Sequence, residues 1–290
     1  MKISTEINSA RRIIGEEKAV ELYAKAGFDA WDFSMFSMFT FAWNTRKVIV
    51  NETPLNTPDY LKFARRLKQI GLDNGIECNQ SHAPFPTYDS IDGINDYIKR
   101  AIECTAEAGG KICVLHPDTS KDVEGNKEFY ERFMPFAKEH GVKIATENMW
   151  SWNSETNRAD VTTCATAESF NEILNAVNDE DFVACLDLGH AEMMGDFANA
   201  KDLIYALGNK CQALHIHDND RWHDSHQIPF SMDMDFPPIV KALHDIGYKG
   251  YFTLEADQYL TKFNADNIFD GMKDLAASAR KLADMFEALD

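Results

Sequence analysis

The segment at residues 213–226, ALHIHDNDRWHDSH, holds the densest group of side chains that can bind a metal or move a proton. Four of the chain's nine histidines fall within twelve positions there, interleaved with aspartates. Imidazole and carboxylate groups bind divalent cations and also act as acids and bases. The segment alone does not decide between a metal site, a proton relay and a polar loop. Its members are His215, His217, Asp218, Asp220, His223, Asp224 and His226.

Side chains of the same kinds stand at the ends of other apolar segments. One buried histidine or one rim glutamate is common in any fold, but six strand ends with such residues in succession are not. An unpaired buried carboxylate is costly, so a shared divalent cation is the expected partner of Glu147, Asp187 and Glu255. The strand-end residues outside the dense segment are His82, His116, Glu147, Asp187, His190 and Glu255.

The types of these ligands narrow the choice of ion. Three carboxylates with one imidazole favour a hard or borderline cation such as Mn²⁺, Mg²⁺, Co²⁺ or Zn²⁺. No cysteine stands beside them, which argues against a structural zinc site. We expect one divalent ion and favour Mn²⁺.

Short apolar segments alternate with longer amphipathic ones along the whole chain. Several of the short segments lack polar alternation, as strands buried on both faces do. The pattern predicts one α/β domain over residues 1–290, a (β/α)8 TIM barrel, in which chemistry lies at the carboxyl ends of the strands. A doubly wound sheet is the alternative, but no GxGxxG follows the first strand. The predicted strands are 2–7, 30–35, 76–81, 111–116, 142–147, 182–187, 211–217 and 251–256, and the predicted helices are 16–27, 57–75, 90–110, 128–141, 167–177, 236–250 and 268–289, with a weak one at 200–210.

Composition excludes several classes of function. The formal net charge of −18 weighs against general binding of nucleic acid. No stretch approaches the roughly 18 apolar residues of a membrane span, and the N-terminal residues lack the apolar core of a signal peptide. The six scattered cysteines form no CxxC pair, so we expect reduced thiols and a cytoplasmic protein.

Four motifs in their order resemble the xylose isomerase-like barrel superfamily: ATEN (145–148), LDLGH (186–190), LHIHDN (214–219) and TLEAD (253–257). That superfamily contains sugar and sugar-phosphate isomerases and epimerases, inosose-processing enzymes and endonuclease IV. The resemblance implies one divalent metal held by Glu147, Asp187, His215 and Glu255. His217 is the alternative to His215, because alternation puts both on the same face of a strand.

The same resemblance suggests roles for the remaining polar residues. His190 is similar to a histidine that contacts substrate oxygens in the epimerases. Endonuclease IV carries further zinc ligands at the positions of His82, His116, Asp224 and His226, so every position of its trinuclear pattern is filled here. For a sugar enzyme, the expected substrate-binding residues are His82, His116, His190, His217, His226 and Trp150.

The chemistry implied by the resemblance is proton transfer next to a carbonyl. A Lewis-acidic cation stabilises the enediolate, while Glu147 and Glu255, on the fifth and eighth predicted strands, take and return the proton. The alternatives are a multi-zinc phosphodiesterase like endonuclease IV, a lyase or hydrolase using the same metal site, and a binding module without catalysis. Acidity, and LEAD where the nuclease pattern would have an acidic residue followed by Thr-Pro, favour the sugar enzyme.

The segment WDFSMFSMFTFAWNT (31–45) is unusually rich in aromatic residues. It predicts either core and subunit contacts or an aromatic lid over a sugar, joined by Trp150 and Trp152. An apolar wall with few basic residues favours an unphosphorylated sugar or a glycoside. A homo-oligomer is a further possibility, since related barrels are often dimers or tetramers.

Overall fold

The computed structural model describes all 290 residues, in which strands and helices alternate. The strands are β1 Ile3–Thr5, β2 Ala30–Ser34, β3 Phe39–Ala42, β4 Lys47–Val50, β5 Glu77–His82, β6 Ile112–Val114, β7 Lys143–Glu147, β8 Trp150–Asn153, β9 Arg158–Val161, β10 Phe182–Asp187, β11 Cys211–His215 and β12 Phe252–Leu254. The helices are α1 Asn8–Ile14, α2 Glu16–Ala26, α3 Tyr60–Asp73, α4 Ile94–Ala108, α5 Val123–Glu131, α6 Met134–Glu139, α7 Ala167–Val177, α8 Leu188–Glu192, α9 Ala200–Leu207, α10 Phe236–Asp245 and α11 Ile268–Glu287.

Every predicted strand segment contains or overlaps one of these strands. Two antiparallel hairpins, β3–β4 and β8–β9, were not predicted. The single helix predicted at 128–141 is instead the pair α5 and α6. Pro135 lies in the first turn of α6, where its missing N–H is tolerated, and in the interior of one longer helix it would remove a hydrogen bond.

The parallel strands follow one another in sequential order. Six form a sheet in the order β11-β10-β7-β6-β5-β2, and β1 pairs in parallel with β12. Single bridges join Glu6 to Asp32 and Ile216 to Leu254, at the two edges of this sheet. Helix α11 packs against α2, so the last helix adjoins one of the first. The order lacks the reversal that defines a doubly wound sheet, and that alternative is wrong.

The parallel strands are largely buried on both faces, as their apolar runs predicted, whereas the hairpin strands β4, β8 and β9 are not. The main core lies between the sheet and the helices. A smaller cluster lies on the opposite face of four neighbouring strands, inside the curl of the sheet: Val114, Ala145, Val183, Cys185 and Ala213. All six cysteines are free and buried. None of the helices combines the length and apolar character required to span a membrane.

Candidate metal centre and active site

The candidate ligands continue the inner face of the sheet. Successive side chains of a strand point to opposite faces, so residues two apart share a face. Glu147 follows Ala145, Asp187 follows Cys185, and His215 follows Ala213. An apolar inner face thus changes to carboxylate and imidazole groups where the strands end.

Four of these side chains form what we call the carboxylate cluster: Glu147, Asp187, His215 and Glu255. Each offers a ligand atom, and these atoms lie within 4.8 Å of one another. The Nδ1 atom of His215 is 3.2 Å from Oε1 of Glu147 and 3.4 Å from Oε2 of Glu255. Three buried atoms of the cluster have no hydrogen-bond partner, namely Oε1 of Glu147, Oδ2 of Asp187 and Nδ1 of His215. These unpartnered atoms and the oxygen-rich donor set fit a divalent cation.

The other ring nitrogen of His215 faces a buried aspartate that we did not single out from the sequence. Its Nε2 atom is 3.5 Å from Oδ2 of Asp32, on β2. Gln80 donates a hydrogen bond of 2.9 Å to the same oxygen. An Nε2–H directed at a carboxylate leaves Nδ1 free as a ligand. The one available signal was a charged residue inside the buried segment AWDFSM.

The carboxylates of the cluster ionise differently. Burial opposes ionisation of Glu147, but His215 and His116 hold its pKa well below the usual range. Burial likewise opposes ionisation of Asp187, while His190 and His217 lower its pKa to about 2. For Glu255 burial prevails and raises the pKa, although His215 and His226 oppose it. The two glutamates are therefore shifted in opposite directions.

His82 and His116 meet Glu147 on its other oxygen. Their Nε2 atoms lie 2.9 Å apart. Nε2 of His116 is 3.1 Å from Oε2 of Glu147, and Nε2 of His82 is 3.4 Å from the same oxygen. Burial lowers the pKa of His116 to about 4, so this ring is neutral near pH 7. Glu147 thus stands between two groups of possible ligands, one on each oxygen.

A second group, the histidine cluster, consists of His190, His217, Asp224 and His226. Oδ1 of Asp224 lies 3.1 Å from Nε2 of His226 and 3.5 Å from Nε2 of both His190 and His217. Burial opposes protonation of His190, but Asp187 and Asp224 raise its pKa to about 10. Asp224 similarly holds the pKa of His226 well above its usual value, against burial.

The geometry separates His215 from His217. Nε2 of His217 lies 3.2 Å from Oδ1 of Asp187, on the side of the histidine cluster. Its ring packs directly on Gly189, where an added Cβ would meet ring atoms at 2.0–2.6 Å. The glycine of LDLGH is therefore the residue that admits His217.

Asn148 links the strand ends and was also missed. Its side chain donates to the carbonyl of Asp187 and accepts from the N–H of Asp187, both at 2.8 Å. The carbonyl of Asn148 accepts from Nδ1 of His190 at 2.9 Å. Asp187 itself caps α8, because its Oδ1 accepts from the His190 N–H at 2.7 Å. These bonds use the backbone and Oδ1 of Asp187, and its Oδ2 stays without a hydrogen-bond partner.

Not all of the dense segment belongs to these clusters. Asp218 accepts hydrogen bonds from the backbone N–H groups of Met232 and Met234 and thus shapes a loop. His223 is exposed, lies 2.7 Å from Asp220 and stacks on Trp152. The density of the segment thus combines site residues with loop structure.

A cavity of about 600 Å³ opens above the clusters. Arg12 is the only lysine or arginine in its lining, which also includes the buried Glu6. Burial, with Asp257 nearby, raises the pKa of Glu6 to about 8. Asp187, His215 and His217 lie outside the lining. The sequence-predicted residues in the lining are His82, His116, Glu147, Trp150, Trp152, His190, Asp224, His226 and Glu255.

The aromatic segment at 31–45 divides between core and cavity. Phe36 and Trp43 line the cavity. The other members belong to the buried core, as the alternative prediction had it: Trp31, Phe33, Met35, Met38, Phe39 and Phe41.

The family profile described as "Xylose isomerase-like TIM barrel" matches residues 20–287. The chain belongs to this family. The resemblance inferred from the four motifs is thereby confirmed, and so is an α/β fold of the TIM barrel type.

The protein MJ1311 of Methanocaldococcus jannaschii is a relative that is 22% identical in an alignment of 254 positions, which covers 82% of this chain and 78% of that protein. The structure of D-psicose 3-epimerase in the presence of D-fructose superposes with a TM-score of 0.70 at 16% identity, covering 97% of this chain and 99% of that one. The IOLI protein with a bound zinc atom gives 0.69 at 21% identity and covers 99% of each chain. At these identities the structural likeness shows the fold.

Proposed function

We propose that this protein is a divalent-metal-dependent isomerase or epimerase that transfers a proton next to the carbonyl of a small, unphosphorylated sugar or sugar derivative. The observation that carries the proposal is the convergence of Glu147 and Glu255 on Nδ1 of His215. These glutamates come from β7 and from the end of β12, strands that are not neighbours. Two carboxylates from separate strands suit proton removal and return at one carbon.

Both glutamates have a double role in this proposal, as ligands and as acid–base residues. Glu147 and Glu255 approach His215 from separate strands, so that one can take the proton from the substrate carbon while the other returns it. Asp187 and His215 act only as ligands.

Glu147, Asp187, His215 and Glu255 would hold the ion, for which we favour Mn²⁺. When bound, such an ion supplies Lewis acidity that stabilises negative charge on a substrate oxygen. A zinc atom is bound in the structure of the IOLI protein, which shares this fold, and this supports a bound metal in the present protein.

The remaining predicted residues would bind and orient the sugar. His190 and His226, whose pKa values are raised, can donate charged hydrogen bonds to hydroxyl oxygens. His82 and His116 line the cavity on the side of Glu147, and His217 supports the base of the site. Trp150 contributes an apolar face. Lysine and arginine are scarce in the cavity lining, where Arg12 is the only one, and this supports an unphosphorylated substrate.

Exchange of substrate hydrogen tests the proposal. Free ketoses and aldoses are incubated with the Mn²⁺-loaded protein in deuterated water, and deuterium at the α-carbon is measured by NMR. We expect exchange with at least one sugar, and its loss in both Glu147→Gln and Glu255→Gln. Exchange retained in both variants would contradict the assignment.

A multi-zinc phosphodiesterase is the second candidate. Its support is the presence of further possible ligands on both sides of the carboxylate cluster. Elemental analysis of the purified protein discriminates between the two. About three zinc ions per chain, with cleavage of bis(p-nitrophenyl) phosphate, would favour the phosphodiesterase, and one Mn²⁺ or Mg²⁺ would favour the isomerase.

We also propose that residues 1–290 form one closed (β/α)8 domain. The support is the pair of bridges, Glu6 with Asp32 and Ile216 with Leu254, which lie between the two-stranded and six-stranded sheets. Formation of a homo-oligomer stays a prediction.

A further inference from the structure

Three large aromatic side chains are exposed at the mouth of the cavity. Trp43, Phe85 and Trp152 are 58%, 38% and 44% exposed, and all three line the cavity. Exposed apolar side chains that are grouped around a cavity often mark a binding site. We call these three residues the aromatic mouth.

One side of the cavity is a continuous aromatic wall. Near the clusters, the ring of Phe36 lies 4.6 Å from that of His82, and Phe85 lies 5.0 Å from His116. Further out, Trp43 packs 6.0 Å from Phe85. The wall therefore runs from the histidines that adjoin Glu147 to the solvent.

The other side is formed by the hairpin β8–β9, which carries Trp150 and Trp152. Trp152 stacks on His223 with ring centroids 5.6 Å apart. The guanidinium of Arg158, on the same hairpin, lies 3.6 Å above the ring of Trp222. Contacts to the loop at 219–227 thus hold the hairpin and present Trp152 at the mouth.

The size and charge of the cavity describe its ligand. A volume of about 600 Å³ falls within the roughly 300–1,000 Å³ of pockets for drug-sized molecules, which is more than one sugar ring requires. Carboxylates and histidines line one end, and aromatic rings line the other. A ligand that fits both ends is polar at the bottom, uncharged, and flat and apolar at the top.

We propose that the substrate is an O-glycoside, with its sugar over the carboxylate cluster and an apolar or aromatic aglycone at the aromatic mouth. This inference rests on the proposed function. Because a glycoside's anomeric carbon is held as an acetal, the carbonyl needed for proton transfer lies on another ring carbon. The reaction that supplies such a substrate is oxidation of a ring hydroxyl of a glycoside.

Binding tests the aglycone site without turnover. The dissociation constants of phenyl and methyl β-D-glucopyranoside are measured by calorimetry with the Mn²⁺-loaded protein. We expect the phenyl glycoside to bind about tenfold more tightly, a difference that Trp43→Ala or Trp152→Ala removes while leaving the methyl glycoside unchanged. Phe197, 72% exposed and outside the cavity lining, supplies the control variant Phe197→Ala, which should alter neither constant.

Equal affinities for the two glycosides, or no binding of either, would overturn the inference. A second result would also overturn it, namely that Trp43→Ala changes the sedimentation coefficient and leaves the affinities unchanged. The aromatic mouth would then be a subunit contact, to which the exposed Ile49 and Val50 of the same hairpin would also belong. Hydrogen exchange separates the two proposals. Exchange on free ketoses without preference for phenyl ketoglycosides supports the isomerase and rules out the glycoside as its substrate. Preferential binding of the phenyl glycoside without exchange on any sugar rules out the isomerase and leaves only a binding site for the aglycone.

Discussion

The carboxylate cluster and the histidine cluster lie side by side, yet their charges are balanced in different ways. The first has three carboxylates and one imidazole, and the second has one carboxylate and three imidazoles. Protons alone can balance the second, because Asp224 and Asp187 keep His190 protonated. In the first, burial opposes protonation of His215 but the carboxylates around it raise its pKa, and this single imidazole offsets only one of the two carboxylates, Glu147 and Asp187, that keep low pKa values.

This difference gives the clusters different needs for a cation. Buried unpaired carboxylates are costly. The carboxylate cluster leaves two carboxylate oxygens without partners, Oε1 of Glu147 and Oδ2 of Asp187, whereas the histidine cluster leaves one, Oδ1 of Asp224, and has three imidazoles around it. We therefore expect one tightly held ion in the carboxylate cluster. In the histidine cluster we expect substrate contacts, with at most weak occupancy by metal.

Replacing one carboxylate in each cluster should have the most unequal effect. Asp187→Asn keeps an oxygen that can cap α8 but removes the negative charge, so we expect loss of the tightly bound ion. Because both acid–base glutamates then lose the ion that they share, kcat/KM should fall by about 10³-fold or more. Asp224→Asn should retain the ion. Metal content by mass spectrometry after desalting, together with kinetics, checks both variants. Equal metal loss in the two would show one joint centre instead of two unequal clusters.

The two histidines of HIHD sharpen the same contrast. Loss of an outer-shell partner can weaken metal binding by about 100-fold. His215→Gln removes a ligand and should therefore weaken Mn²⁺ binding by more than this. His217→Gln should weaken it by much less, because Nε2 of His217 faces Asp187 and Asp224 instead of the glutamates. Competition with a fluorescent chelator measures both affinities. The reverse order would make His217 the ligand.

Much of the carboxylate cluster was predictable because each ligand sits where an apolar strand ends. Glu147, Asp187 and His215 follow inner-face residues of β7, β10 and β11 by two positions. Such a signal is local. Asp32 gives no comparable signal, since its contact with His215 spans the chain from β2 to β11 and depends on how the sheet curls.

Density of polar residues was a poorer guide than position. His223 and Asp218 lie within the densest segment, yet one stacks on Trp152 and the other holds a loop. Trp31 and Trp43 likewise belong to one aromatic segment, but the first is fully buried and the second is exposed at the cavity mouth. Trp31 lies on β2, whereas Trp43 lies in the turn of the hairpin β3–β4. The strand–helix alternation on which the prediction relied does not include this hairpin.

Asp32 offers a test of how the carboxylate cluster chooses its nitrogen ligand. Asp32→Asn keeps the shape of the side chain but removes the charge that faces Nε2 of His215. Loss of such an outer-shell partner costs about 10–100-fold in metal affinity, and we expect a value in this range for Mn²⁺. The same chelator assay applies. Unchanged affinity would mean that Asp32 has only a structural role with Gln80.

The smallest effect on metal binding is expected from Gly189→Ala, which displaces a ring of the histidine cluster and removes no ligand of the carboxylate cluster. A Cβ at this position overlaps the ring of His217, so the ring must move. Overpacking of this kind costs about 1–3 kcal/mol, measurable by urea unfolding of the metal-free protein. The double variant Gly189→Ala/His217→Ala should be no less stable than His217→Ala alone, because the overlapping ring is gone. If Gly189→Ala lowered the free energy of unfolding equally with and without the ring of His217, the strain would lie elsewhere. Mn²⁺ affinity that is retained in all of these variants would show that the two clusters are independent.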